Sequence, residues 1–245
     1  MPEEKQVALI TGANKGIGLE IARQLGGRGL TVLVGSRDTG RGETAASALR
    51  AEGLDARAVT LDVTRQADID AAAVLIGQTF GRLDVLVNNA GISPQGAHVA
   101  PSELDPDVLR QTFETNVFGA FAVTRAMLPL LRQSAAGRIV NVSSTMGSLT
   151  MHSDPDSYLS QVPPLLAYCS SKTAMNALTV FFARELKDTP IKVNSVSPGY
   201  VATDLNGFRG PLTTAQGAEA PVRYALLPAD GPTGGFFEVD GPAPW

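Results

Sequence analysis

The chain has 245 residues, 44% of them hydrophobic and 18% charged, with a net charge of -4. That balance describes a water-soluble globular protein and speaks against nucleic acid or an anionic membrane as partner. No apolar run reaches the length of a membrane span. The one cysteine, Cys169, leaves no internal disulfide framework and fits a reducing compartment, and His98 and His152 share no zinc-site spacing, so no metal site is expected. The acidic stretch from Met1 to Gln6 runs straight into a strand pattern, unlike a secretory leader, so a cytoplasmic protein is expected.

In chain order, short apolar or β-branched runs alternate with longer helical patterns. The spacing predicts strands over Val7–Thr11, Thr31–Gly35, Ala56–Asp62, Val85–Asn88, Arg138–Val142, Ile191–Val196 and Gly235–Val239. Helices are expected near Ile17–Leu25, Arg41–Glu52, Gln66–Phe80, Asp107–Gln133, Ala167–Leu186 and Ala215–Leu227. Strands that are apolar throughout and separated by helices imply an α/β fold with a parallel sheet covered on both faces. With right-handed crossovers this becomes a doubly wound, Rossmann-like sheet of mostly seven strands, filling one domain over residues 1–245. Two stretches interrupt the alternation. Thr145–Leu166 carries Pro155, Pro163 and Pro164, and Tyr200–Thr214 is rich in Gly, Asn and Pro. Both follow the carboxyl end of a strand, where such folds bind ligands, and are expected to wall the substrate site.

The first strand runs into Thr11-Gly12-Ala13-Asn14-Lys15-Gly16-Ile17-Gly18 and then a helix. Glycines there let backbone approach a pyrophosphate, and the helix N-terminus supplies free N–H groups and a positive dipole end. At the end of the second strand stands Gly35-Ser36-Arg37-Asp38. NAD enzymes place a carboxylate there for the ribose 2′-hydroxyl. Here Ser36 takes that position and Arg37 follows, which suits a 2′-phosphate and hence NADP(H), with Lys15 as a second cation. Asp38 is the NAD-type acid if the register is shifted. Asp62-Val63 and Asn88-Asn89-Ala90-Gly91 close the next two strands. The Asp62 carboxylate can accept from an adenine amino group, and small residues at 90 and 91 let backbone lie against a flat cofactor.

Tyr168 precedes Lys172 by four residues, so on a helix the phenol and the ammonium share one face. None of Tyr158, Tyr200 and Tyr224 has a cation at that spacing. A fixed positive charge favours the phenolate, and shifting a tyrosine by three units takes about 4 kcal/mol of differential interaction. Upstream, the strand Arg138–Val142 ends in Ser143-Ser144-Thr145-Met146-Gly147, which places a hydroxyl where it can hydrogen-bond a carbonyl oxygen near the phenol. Asn116 sits inside a helical pattern, for which asparagine is a mediocre former.

These residues, in this order and over almost the whole chain, resemble the short-chain dehydrogenase/reductase family. Thr11–Gly18, Asp62-Val63, Asn88–Gly91, Asn116, Ser144, Tyr168 with Lys172, and Pro198-Gly199 followed by Thr203 carry the resemblance. Arg37, Lys15 and the Ala218–Pro228 stretch are most similar to the NADPH-dependent carbonyl reductases. The resemblance implies that Tyr168 is the proton donor in carbonyl reduction and that Lys172 binds the nicotinamide ribose and depresses the tyrosine pKa. It implies that Ser144, with Ser143 as the near alternative, orients the substrate oxygen. Asn116 would hold a helix distortion and a relay water. Pro198, Gly199, Val201 and Thr203 would contact the nicotinamide half. Gly12, Asn14, Lys15, Gly16, Ile17, Gly18, Arg37, Asp62, Val63, Asn89, Ala90 and Gly91 complete the cofactor set. Ser144 and Tyr168 are 24 residues apart, farther than in many members, so the stretch His152–Pro164 is expected to form a flap near the substrate entrance. That flap can also obstruct the helix pairing by which many members associate; a homodimer or homotetramer is the expected assembly.

The implied activity is reduction of a ketone or aldehyde, with Ser93, Ser144, Met146, Tyr158, Tyr200 and Phe208 lining the substrate pocket. Two other readings remain open at this point. One is an NAD(P)-dependent alcohol dehydrogenase working oxidatively, and the other is a catalytically idle NADP-binding sensor on the same fold.

Overall fold

A computed structural model of the chain describes residues 5–94, 96–163 and 165–245. The acidic N-terminal residues Met1–Glu4 and Pro164 of the expected flap lie outside the described residues. Eight strands form one sheet in the order β3-β2-β1-β4-β5-β6-β7-β8. They are β1 (Val7–Ile10), β2 (Thr31–Ser36), β3 (Ala56–Thr60), β4 (Val85–Asn88), β5 (Arg138–Val142), β6 (Lys192–Val196), β7 (Phe236–Glu238) and β8 (Gly241–Pro242). All neighbours pair in parallel except β7 and β8. The expected seven strands are therefore joined by an eighth, antiparallel one. Its two residues, Gly and Pro, carry no strand propensity, and only the reversal after Glu238 sets it in place.

Every residue of β1 is buried, because helices cover both faces of the sheet. Alternation along the strand divides the core. Ala8 and Ile10 face a layer formed by Ile21 and Leu25 of α1 (Gly16–Gly26), Ala46 and Leu49 of α2 (Thr39–Ala51), and Tyr224. Val7 and Leu9 face the opposite layer, with Ile69 and Ile76 of α3 (Gln66–Phe80), Val123 and Met127, and Phe182. The chain winds outward from β1 to β3, then crosses to β4 and winds the other way. The carboxyl ends of β1 and β4 flank this reversal, the place where doubly wound sheets hold their ligands.

The helical pattern expected over Asp107–Gln133 is broken in three. It comprises α4 (Pro106–Phe113), a π-helical turn Glu114–Gly119, and α5 (Ala120–Leu131). An extra residue in one turn leaves the apolar periodicity on either side intact, so the pattern reads as continuous in sequence. The stretch expected as loop, Thr145–Leu166, contains a 3-10 turn at Thr145–Gly147, the short helix α6 (Leu149–Ser153) and a second turn at Tyr158–Gln161. Ser148 caps α6 and Ser157 caps the second turn. The helix α7 (Leu166–Glu185) follows. Tyr200–Thr214 folds back through a bridge between Val201 and Leu212 before α8 (Thr214–Ala225). Among the described residues, no helix is long and apolar enough to cross a membrane.

Candidate active site

Tyr168 and Lys172 stand one turn apart near the start of α7, with the lysine Nζ 5.6 Å from the centroid of the phenol ring. Lys172 is buried, and its Nζ donates to the Val142 carbonyl at the end of β5 at 2.7 Å. A Cβ added to Gly91 would lie 3.6 Å from that Nζ, so the ammonium faces the segment that follows β4. Gly147 is set so tightly against the α7 backbone that an added Cβ would come within 2.7 Å of the Lys172 carbonyl carbon. This contact brings the Ser144–Gly147 turn against the turn of helix that bears the lysine.

Ser144 accepts a hydrogen bond from Met146 N at 3.2 Å, and its hydroxyl lies close enough to the Tyr168 phenol to favour the phenolate. Ser143 faces elsewhere, with its Oγ buried and donating to the Lys172 carbonyl at 3.3 Å. Of the two serines, Ser144 meets the phenol. Burial pushes the Tyr168 phenol up to about 12, opposed by the hydrogen bond from Ser144. Burial brings Lys172 down to about 8. The lysine was expected to depress the tyrosine pKa; here burial dominates and the phenol lies above its ordinary value. Val142 holds the ammonium 5.6 Å from the ring centroid, and desolvation is the largest influence on the phenol.

Asn116 lies fully buried in the π turn. Its Oδ1 accepts from Ile92 N at 2.8 Å, while its Nδ2 donates to Ile92 O at 3.0 Å and to Ser171 Oγ at 3.0 Å. One side chain thus clamps the loop after β4 to α7, the helix of Tyr168 and Lys172. The adjacent Ser93 Oγ is buried with no hydrogen-bond partner among the described residues.

The expected cofactor crevice lies where the glycine turn after β1 meets the segment after β4. Gly12 and Gly16 have φ of +63° and +59°, a region that L side chains rarely adopt. A Cβ at Gly16 would lie in van der Waals contact with Thr203 Cγ2 at 3.8 Å, so the α1 N-terminus borders the loop after β6. Asn89 Nδ2 holds the turn by donating to the Thr11 and Gly12 carbonyls. Ala90 N donates to Thr11 Oγ1 at 3.0 Å, and Val63 packs into the core behind. Asp62 lies beyond β3, where its carboxylate accepts from Thr64. On the other wall, Pro198 leads to Gly199 at φ +78°, Val201 is buried, and Thr203 begins a 3-10 turn.

At the end of β2, Ser36 is buried and its hydroxyl donates to the Asp38 carbonyl. The Asp38 side chain caps α2 by accepting from Arg41 N at 2.8 Å. A capping carboxylate is committed to the helix, while Arg37 is exposed at the crevice end of the strand. Arg41, four residues on, joins Asn14, Lys15, Leu19 and Thr44 in lining a surface depression between α1 and α2. This cation was not singled out from the sequence, although its i+4 spacing from Arg37 across the start of a helix was a usable signal. Lys15 pairs with Asp204 at 3.1 Å in this structure, bridging the glycine turn to the loop after β6. These groups fit a dinucleotide bearing a 2′-phosphate.

Of the expected substrate residues, Ser144 and Met146 lie in one turn, and Tyr158 donates to Thr145 Oγ1 of that turn at 3.1 Å. Tyr200 and Phe208, both largely exposed, sit on the opposite loop, where Phe208 takes the left-handed φ of 61°.

A reversal of sheet winding, a glycine turn at a helix N-terminus and a Tyr-Lys-Ser cluster beside it define a nucleotide-linked α/β enzyme of the doubly wound class. The family model described as short chain dehydrogenase matches residues 6–211. A short-chain dehydrogenase/reductase 1 of Saponaria officinalis is 37% identical over 96% of this chain and 94% of its own. Carbonyl reductase [NADPH] 1 of Rattus norvegicus is 33% identical over the full length of both. The crystal structure of NADPH-bound carbonyl reductase from chicken fatty liver superposes with a TM-score of 0.85 at 26% identity, covering 99% of this chain and all of that one. The chain belongs to the short-chain dehydrogenase/reductase family of oxidoreductases.

Proposed function

We propose that this protein is an NADPH-dependent carbonyl reductase that converts a ketone or aldehyde to an alcohol, with Tyr168 as proton donor. The observation that carries this reading is the convergence of Tyr168, Ser144 and Lys172 beside the crevice. Bound in that crevice, the reduced nicotinamide supplies the hydride. The protein's part is to hold the carbonyl and deliver the proton.

Ser144 donates to the carbonyl oxygen and keeps it within reach of the Tyr168 hydroxyl. A phenol at about 12 is protonated at neutral pH and still more acidic than the alcohol that forms, so the transfer runs downhill. A tyrosine held protonated is ready to donate, and the carbonyl reductases among the relatives support the reductive reading over an oxidative dehydrogenase. Lys172 lies beneath the site, where its amine can hold ribose hydroxyls and hand on a proton. Asn116 fixes the loop that borders it. A catalytically idle sensor has no use for all four groups in register.

Cofactor choice follows from Arg37 and Arg41. Both are exposed at the start of α2, and the nearby carboxylate, Asp38, is engaged by the helix cap and by an ion pair with Arg41 at 3.8 Å. The carbonyl reductases among its relatives use NADPH by name, which supports the same choice.

The test is steady-state oxidation of NADPH, and of NADH, against a panel of aliphatic, cyclic and aromatic carbonyl compounds. Turnover with NADPH well above that with NADH is expected on at least one class, and Ser144→Ala should depress it by about 10²-fold. Tight NADPH binding with no turnover on any carbonyl or alcohol would overturn the proposal and restore the sensor reading.

A further inference from the structure

Trp245 lies a hundred residues from Ser144 in sequence, yet it is fastened to the segment that follows that serine. Its main-chain oxygen accepts two hydrogen bonds, from the Ser148 hydroxyl at 3.0 Å and from Thr150 N at 2.8 Å. Its indole stacks on Phe236 of β7, with ring centroids 5.7 Å apart and 27° between the planes. Ser148 is fully buried and also caps α6, accepting from Met151 N at 3.1 Å. The tail after β8 therefore docks on the first turn of α6, with the Phe236 stack as its second point of attachment.

The segment it holds is the one that carries Ser144 and Met146. On its other flanks, Thr173 Oγ1 of α7 donates to Gly147 O at 2.8 Å, and Thr145 N donates to Ser197 Oγ beyond β6 at 3.3 Å. His152 Nε2 of α6 hydrogen-bonds Met146 O at 3.0 Å, so a displacement of α6 passes directly to Met146. Met146 N in turn is bonded to the Ser144 hydroxyl. α6 is a five-residue helix with Leu149 and Thr150 largely exposed, too short to be stable by itself and dependent on such contacts for its position.

We infer that Trp245 is a substrate-positioning residue. Stacked on Phe236, it clamps α6 through Ser148 and Thr150, and so keeps Met146 and Ser144 in register with Tyr168. The inference rests on the proposal that Ser144 and Tyr168 handle a carbonyl oxygen, but the clamp is measurable without any substrate.

The experiment compares wild type, Trp245→Ala and Trp245→Phe by two readouts. Hydrogen exchange of peptides spanning residues 144–153 should accelerate in the alanine variant and return towards wild type in the phenylalanine variant, which keeps a stacking ring. In kinetics, Trp245→Ala should raise KM for the carbonyl compound by about five- to tenfold, the worth of roughly one aromatic stack. The affinity for NADPH should stay within about twofold of wild type, since the glycine turn and Arg37 are untouched. Trp245→Phe should recover most of the KM. Unaltered exchange overturns the clamp, and faster exchange with unaltered KM overturns the positioning role. If the alanine variant does not fold, Phe236→Leu removes the stack from the other side and is read in the same two ways. A wild-type protein that reduces no carbonyl compound would sink the functional proposal, while the exchange result still decides whether the tail clamps α6.

Discussion

Lys172→Met separates stability from function at the centre of the site. In the native protein the amine is buried and its pKa falls from 10.5 to about 8. At 1.36 kcal/mol per unit, the charged form therefore burdens the folded state by about 3 kcal/mol below pH 8. Between pH 8 and 10.5 the unfolded chain binds the proton more readily than the native one, so stability rises with pH across that window. Methionine has a similar length and no charge, so it removes this burden. It also leaves the Val142 carbonyl without its 2.7 Å donor, at a cost of about 2 kcal/mol. The balance makes the variant about 1 kcal/mol more stable than wild type at pH 7 and about 2 kcal/mol less stable at pH 10.5, with the curves crossing near pH 9. Urea unfolding of both proteins at half-unit pH steps measures this difference, in which every other titrating group cancels. A difference that stays flat across the window would refute a desolvated ammonium at position 172. Carbonyl reduction should meanwhile fall by about 10²-fold or more at pH 7, despite the gain in stability.

Arg37→Asp should weaken NADPH by about 10- to 100-fold, the worth of a charge-assisted contact, while NADH affinity holds or improves. Direct titration of both nucleotides measures this, and an unchanged ratio makes Arg37 a bystander. Asn116→Ala strands both backbone groups of Ile92 and removes a donor to Ser171 Oγ, which keeps its own bond to the Tyr168 carbonyl. It should lower unfolding free energy by about 2–4 kcal/mol in denaturant titration. Gly147→Ala drives a Cβ into the α7 backbone at Lys172, where no side chain can move aside. It should cost about 1–3 kcal/mol and raise KM for the carbonyl compound, since Ser144 moves with the turn.

Much of this was legible in the sequence, for identifiable reasons. β4, β5 and α3 occupy the residues that their patterns marked, because these buried strands are built on β-branched and apolar residues and α3 is closed by Gly81 in the left-handed conformation. Tyr168 and Lys172 were found because i and i+4 positions share a helix face whatever surrounds them. The π turn at Asn116 left no trace in the periodicity; only an asparagine in an awkward place hinted at it. α6 was hidden because five residues cannot establish a period, and β8 because a Gly-Pro pair carries no strand signal. The electrostatics were the least legible. The spacing of a phenol and an amine says nothing of how deeply each is buried, and burial moves both pKa values here. Contacts between distant segments, such as Lys15 with Asp204 or Trp245 with Ser148, depend on the finished fold and have no local signature.

The proton from Tyr168 is tested most directly by single-turnover reduction of a carbonyl compound with enzyme in excess over NADPH, comparing wild type with Tyr168→Phe. Phenylalanine keeps the ring beside Lys172 and removes only the hydroxyl. The account predicts that hydride transfer slows by about 10²–10⁴-fold while NADPH affinity stays near wild type. Equal rates in the two proteins would show that the proton comes from another group.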